Sequence, residues 1–252
     1  MKIHHFQCTA CGKCCHGLLP LLLEEALEHA GRFPLAMLWT VVPPGSPSAG
    51  LVARLGATVT IGRKKPLPVE VSAVVWLPEQ MACPELTADG LCGIHATKPQ
   101  RCRTMPFYAG REEADQAAFL LPRPGWQCDI SRAAPAVYDS GVILDRADFD
   151  AERQRLEQQA ATIRAYATRL VSQSAPLVRD LEVLGKRPGG GRLALAFTGI
   201  LPRLGGDIAA FARQQGPVLR DLAARTAGDP AQRRFHDYYV STLRALEPFA
   251  VA

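Results

Sequence analysis

After Cys128 the chain holds no cysteine, although eight precede that point in its 252 residues. Other things are scarce as well. Aromatic residues make up only 7% of the chain, and its arginines are scattered rather than gathered into a stripe. Without stacking residues or a basic face, a nucleic-acid role has no support. The longest apolar stretches, such as 18–23 and 193–201, are far too short to span a bilayer, which argues against a membrane protein. The glycine run at 188–191 is not followed by Gly-Lys-Ser/Thr, so it reads as a flexible joint and not a phosphate loop. Neither a catalytic triad nor a paired-carboxylate site stands out, and no catalytic residue is assigned. The first ten residues are polar and lead straight into cysteines, unlike a secretory leader, so the expected location is the cytoplasm.

What is present is thiol. Cys8, Cys11, Cys14 and Cys15 open the chain, and Cys83, Cys92, Cys102 and Cys128 follow at wide intervals. In a reducing compartment such a set favours metal over disulfides, and the neighbours Cys14 and Cys15 are poor partners for each other. Thiolate is a strong ligand for zinc, iron and copper(I). The chain carries a formal charge of +5 with every thiol counted neutral, so part of its basicity is counter-charge for bound thiolates. Cys8-x2-Cys11-x2-Cys14 has the spacing of the first three ligands of a ferredoxin-type motif, with the Cys83-Pro84 pair available as a remote fourth. A 4Fe-4S cluster and two zinc-type four-thiolate sites therefore both remain open, and Cys14 and Cys15 are placed to serve different ions or to bridge them. His95, Arg101 and Arg103 flank the later cysteines and are candidates to support the ligands, the arginines by hydrogen bonding to sulfur. His4, His5 and His16 flank the first cluster and read more simply as surface or supporting groups.

The fold expected is α+β: an irregular, loop-rich, metal-stapled cysteine module with a small β-hairpin, then an all-helical C-terminal region. The module covers 1–140, with an insert at about 31–80, and the helical domain covers 145–252. Residues 21–30 read as a helix, 33–42 as a short helix or strand entry, and 43–48 as a proline-rich loop. Residues 51–61 and 69–77 read as hairpin strands with a basic tip at Arg63, Lys64 and Lys65. Residues 148–185 show helical periodicity with a break near Pro176, and 201–214, 216–227 and 230–249 complete the helices. Prolines and glycines around Cys83, Cys92 and Cys102 make turn-rich backbone that needs an external staple.

Taken together, Phe6-x-Cys8-x2-Cys11-Gly12-x-Cys14-Cys15-x-Gly17, Cys83-Pro84-x-Leu86, Asp89-Gly90-x-Cys92-x-Ile94-His95 and Lys98-Pro99-x2-Cys102-Arg103-x2-Pro106-Phe107 resemble the YkgJ-type cysteine-cluster family. That family is described as a zinc- or iron-chelating domain with eight cysteines, and the resemblance extends to all eight here. It covers about residues 6–107, with Cys128 beyond and least securely placed. In the family the position of His95 can be tyrosine, which weighs against His95 as a ligand. The resemblance implies a cytosolic metal-binding protein, with the helical region free for a protein partner. Members labelled iron–sulfur oxidoreductases, and similar flagellin lysine methylases, keep a redox or protein-modifying enzyme as an alternative, though no adenosylmethionine loop is recognisable. Thiolate-based handling of copper(I), zinc or iron is a further alternative.

Overall fold

The computed structural model describes residues 3–43, 45–46, 49–61 and 65–250. Arg63 and Lys64 of the expected basic tip, and part of the proline loop at 43–48, lie outside them. In chain order the elements are β1 (Ile3–His5), β2 (Leu19–Leu21), α1 (Leu23–Glu28), β3 (Leu35–Val41), α2 (Ala49–Leu55), β4 (Ala57–Ile61) and β5 (Lys65–Val75). Then come α3 (Gln100–Thr104), β6 (Ala136–Asp139), β7 (Val142–Ile143), α4 (Ala147–Gln173), α5 (Ala175–Gly185), β8 (Gly191–Ala196), α6 (Ile208–Thr226) and α7 (Arg233–Ala250). Helix and strand are both substantial, so the α+β class holds.

The main sheet is antiparallel, in the order β2-β5-β3-β8, with β4 on the same edge of β5 as β2 but further along it. In β5, Leu67, Val69, Val71 and Ala73 are buried while Pro68, Glu70 and Ser72 alternate with them at intermediate exposure, the period-2 signature of a strand. Pro68 is tolerated for a local reason. Its carbonyl accepts from Val42 on the β3 side, just past the last β3–β5 pair, Val41–Val69. The missing N–H therefore falls where the ladder has ended. Residues 33–42 resolve as strand and not helix: β3 is flanked on both edges, and all of it but Thr40 is buried. The strand expected over 51–61 is half helix, because α2 takes 49–55 and only 57–61 pair with β5.

A second correction concerns the C-terminal region, which is not all-helical. Residues 191–196 run antiparallel to β3, with Leu193 opposite Trp39. The glycine run before β8 is a packed turn rather than a free joint. Gly190 has φ +66, and a Cβ there would lie 2.1 Å from the Val41 carbonyl oxygen. Only glycine fits that approach. The expected helix break falls at Ser174, whose hydroxyl accepts from Leu177 N at 3.3 Å and caps α5, with Pro176 inside its first turn.

One core joins Trp39, Val69 and Val71 of the sheet to Ile163 and Tyr166 of α4, Leu181 of α5, Leu219 of α6 and Tyr239 of α7. The main core thus draws on residues either side of 140–145. Polar side chains fasten the same join. Gln215 of α6 is buried, donates to the carbonyls of Ala30 and Phe33, and accepts from Leu35 N at 3.1 Å. Replacing Gln215 with Leu is expected to cost about 1–3 kcal/mol by leaving buried backbone groups unpaired, to be read from urea denaturation.

A smaller unit lies at the other end. β1, β6 and β7 form a three-stranded sheet, and Phe6, Phe107, Tyr138, Ile143 and Phe149 form a separate small core beneath it. The segments carrying the cysteines run between these two bodies. Among the described residues no helix is long and apolar enough to cross a membrane.

Candidate metal centre

Backbone pairing brings the distant cysteines back to the opening cluster. Gln7 and Asp129 exchange both backbone hydrogen bonds, at 2.8 and 3.0 Å, which places Cys8 beside Cys128. Thr9 donates to the Gln127 carbonyl at 3.0 Å and extends the pairing. Gly12, at φ +69, turns the chain, and a Cβ there would meet the Gly90 carbonyl at 3.1 Å, so the first loop lies against the Asp89–Gly90 turn. Further on, Cys83 N donates to the Cys15 carbonyl at 2.8 Å and Gly17 N to Met81 at 2.9 Å, with a bridge between His16 and Ala82. Leu86 pairs with Cys92 across the turn, so Cys83 and Cys92 are held on one short loop. Cys102 sits on α3.

All eight thiols are free. Their mutual electrostatics divide them into two overlapping sets. Cys128 is raised first by burial, then by the charges of Cys11, Cys8 and Cys14. Cys102 is pushed up to about 12, first by burial, then by Cys83, Cys14 and Cys92. Burial likewise raises Cys83, with Cys92 and Cys14 adding to it. Cys14 and Cys15 stand at the junction with their sulfurs 4.0 Å apart. The hydrogen bond they share raises Cys14 and lowers Cys15. Cys11 is lowered by backbone hydrogen bonding at Gln127 and Lys13. Cys83, offered by its Cys-Pro context as a fourth ligand for Cys8, Cys11 and Cys14, lies beside Cys15 instead, and Cys128 occupies the place near Cys8 and Cys11.

Among the described residues no three His, Cys, Asp or Glu side chains stand in position to hold an ion, so the thiols gather without forming a closed cage. What fits a metal is the chemistry of the donor set: eight free thiols in two overlapping groups, seven on loops and Cys102 on the short α3.

The flanking residues are held by partners other than the cysteines. The positive charge of Arg101 nonetheless favours the Cys102 thiolate against the pull of burial. Arg101 pairs with Glu152 at 3.1 Å, with both side chains at or below 8% exposure, and it also donates to the Phe107 carbonyl and the Met105 sulfur. Arg103 donates to the carbonyls of Ala96 and Lys98. The side chain of His95 is exposed, and its backbone N–H donates to the Cys92 carbonyl at 3.2 Å. His4 packs edge-on against Tyr138, and His5 Nδ1 meets the Ala134 carbonyl at 2.7 Å, so both belong to the small sheet.

Sequence reasoning missed the buried polar groups behind α3. Glu25 accepts from Gln100 N at 3.0 Å, Gln100 Nε2 donates to Asp148, and Tyr108 donates to Glu70 at 2.7 Å. Burial raises Glu152 despite the arginine beside it. Arg101, Tyr108, Glu70 and Glu152 line a cavity of about 40 Å³, room for a few waters rather than a substrate. Glu25, Glu70, Asp148 and Glu152 stand far in sequence from Cys102, and Gln100, though two residues before it, carries no local sign of its partners.

Eight free thiols brought together from distant parts of the chain define a thiol-rich site. The comparisons point the same way. Residues 7–121 match the family model CxxCxxCC, described as "Putative zinc- or iron-chelating domain". Seven of the eight cysteines fall within the match, and Cys128 lies just past it. Neither the curated proteins nor the solved structures give a match.

Proposed function

We propose that this protein chelates zinc or iron in two four-thiolate centres. One centre takes Cys8, Cys11, Cys14 and Cys128, and the other takes Cys15, Cys83, Cys92 and Cys102. The observation that carries the reading is the junction at Cys14 and Cys15, whose sulfurs lie 4.0 Å apart between two sets of thiols that feel one another's charge. Two ions are favoured over one because Cys128 lies with Cys8 and Cys11 while Cys102 lies with Cys83 and Cys92, more thiols than one tetrahedral ion takes. Bound metal supplies the cross-links that these turn-rich loops lack. The residues' own part is to present sulfur: Gly12 turns the first loop, the Gln7–Asp129 pair delivers Cys128, and the Cys15–Cys83 backbone bond joins the second set. The protein acts in the cytoplasm, where thiols stay reduced. The helical region is the surface left for a protein partner.

Elemental analysis and acid-labile sulfide on anaerobically purified protein test this reading. Two ions per chain and no sulfide are expected, with a colourless product if the metal is zinc. Cys11→Ser and Cys102→Ser should each lose about one ion per chain and lower soluble yield, because a four-ligand site missing one thiolate is open to water. His4→Ala should lose none, since His4 packs on Tyr138. Full loading in Cys11→Ser, or stoichiometric sulfide in the wild type, would overturn the assignment.

A further inference from the structure

The two proposed centres are not supported alike. α3, which carries Cys102, has five residues and no side-chain cap, too short to hold itself. It is fixed from outside. At its first residue, Glu25 accepts from Gln100 N at 3.0 Å, and Glu25 is itself held by Arg155 at 3.1 Å and by Leu22 N at 3.3 Å. The Gln100 side chain donates to the backbone and carboxylate of Asp148, both at 3.1 Å, and Thr104 donates to the Asp148 carbonyl at 3.2 Å. Arg101, adjacent to Cys102, is locked to Glu152 in a buried pair. Asp148 and Glu152 both stand on α4, the long helix that enters the main core through Ile163 and Tyr166. Cys102 is therefore carried by the rigid body of the protein. Cys15, Cys83 and Cys92 are partly shielded: Cys83 packs against the main core beside Met81 and Ile94, and the Cys15–Cys83 backbone bond and the Leu86–Cys92 bridge hold the segment together.

The other set is backed only by the small core, which holds Phe6 and against which the half-buried Cys128 packs, and no buried ion pair or side-chain network braces it to α4. Cys8 and Cys14 are exposed, and the hydrogen bonds that tie the segment of Cys8 and Cys11 to that of Cys128 are the Gln7–Asp129 pair, the Thr9–Gln127 bond and backbone hydrogen bonding from Gln127 to the Cys11 sulfur. A competing ligand reaches exposed sulfur directly, and loop-borne thiolates step away from the ion one at a time. Ligands fixed by buried hydrogen bonds return to it instead.

We infer that the centre of Cys8, Cys11, Cys14 and Cys128 exchanges its ion with thiol-bearing or chelating acceptors, and that the centre of Cys15, Cys83, Cys92 and Cys102 retains its own. Glu25, Arg101 and Glu152 are positioning residues for the retained ion. The inference rests on the two-centre chelation reading. In the exchange the ion keeps its oxidation state, passes from protein thiolates to acceptor ligands, and the freed thiolates take protons from solvent.

The test is zinc release from the fully loaded, full-length protein into excess chromophoric pyridylazo chelator. Two phases of equal amplitude are expected. Cys128→Ser should abolish the fast phase and keep the slow one, and Cys102→Ser should do the reverse. Glu152→Gln should speed the slow phase by about tenfold or more and leave the fast phase unchanged, with Arg101→Lys smaller in effect because it keeps the charge. A general loss of stability would speed both phases, which separates positioning from mere structural support. Cobalt loading adds a spectroscopic check: the sulfur-to-cobalt absorption that survives brief chelation should belong to the Cys102 set. Should Glu152→Gln fail to fold, the two cysteine variants still decide the assignment. Single-phase release of two ions, or a slow phase that vanishes in Cys128→Ser, overturns the asymmetry and leaves chelation standing. A chain that takes up no zinc, iron or cobalt overturns chelation itself.

Discussion

Complete removal of metal should unfold the cysteine-bearing loops and spare the sheet and its helices. Residues 7–17, 81–97 and 121–133 should lose amide protection and become sensitive to protease, while α3, tied to α4 by buried hydrogen bonds, stays protected and the far-ultraviolet helical signal stays nearly constant. The physical ground is the separation of the cores. The main core closes through Trp39, Ile163, Tyr166, Leu181 and Tyr239 with no cysteine among its buried members. The loops rest mainly on the small core of Phe6, Phe107, Tyr138 and their neighbours, with Met81, Cys83 and Ile94 only partly buried against the main one. Structural zinc supplies about 10–16 kcal/mol of apparent binding free energy in small thiolate sites, far more than such a core returns. Hydrogen exchange with and without chelator is the measurement. Uniform protection in both states would show that metal is not the staple.

The second large effect is expected at Trp39. It is fully buried on the central strand, packs edge-on to Tyr166 at 5.9 Å, and lies opposite Leu193 of β8. Trp39→Ala should destabilise by about 3–5 kcal/mol, the range for truncating a large buried aromatic. Because the residue joins the sheet to α4 and β8, the loss should be global. Strand and helix signals should melt together at a lower denaturant concentration, and zinc stoichiometry at low denaturant should stay as in the wild type. Helices that melt apart from the sheet would mean that the shared core does not act as one cooperative unit.

How far the chain could be read in advance follows from the range of each signal. The cysteine pattern is local chemistry in its first half, and the Asp89–Gly90 turn and α4 are local as well. Those were legible. The β3–β8 pairing was not, because Leu193 and Trp39 find each other across more than a hundred residues and no short pattern announces the partner. The residues before β4 carry an apolar run that suits helix or strand equally, and tertiary packing made its first half α2. Arg101 was singled out for standing next to Cys102. Its role instead depends on Glu152, which the sequence places far away on another helix.

The Gln7–Asp129 pair, with β1 against β6 beside it, has a consequence of a different kind. It makes everything between residues 7 and 129 a loop whose two ends are fastened to each other. A protease that cuts one exposed bond near Leu91 or Leu121 therefore frees no fragment. The nicked chain should elute as one particle of unchanged size under native conditions and fall into two pieces only in detergent. Cleavage and dissociation are separate events in this molecule, and a single cut in the metal-bearing segment stays invisible until the fastening is undone.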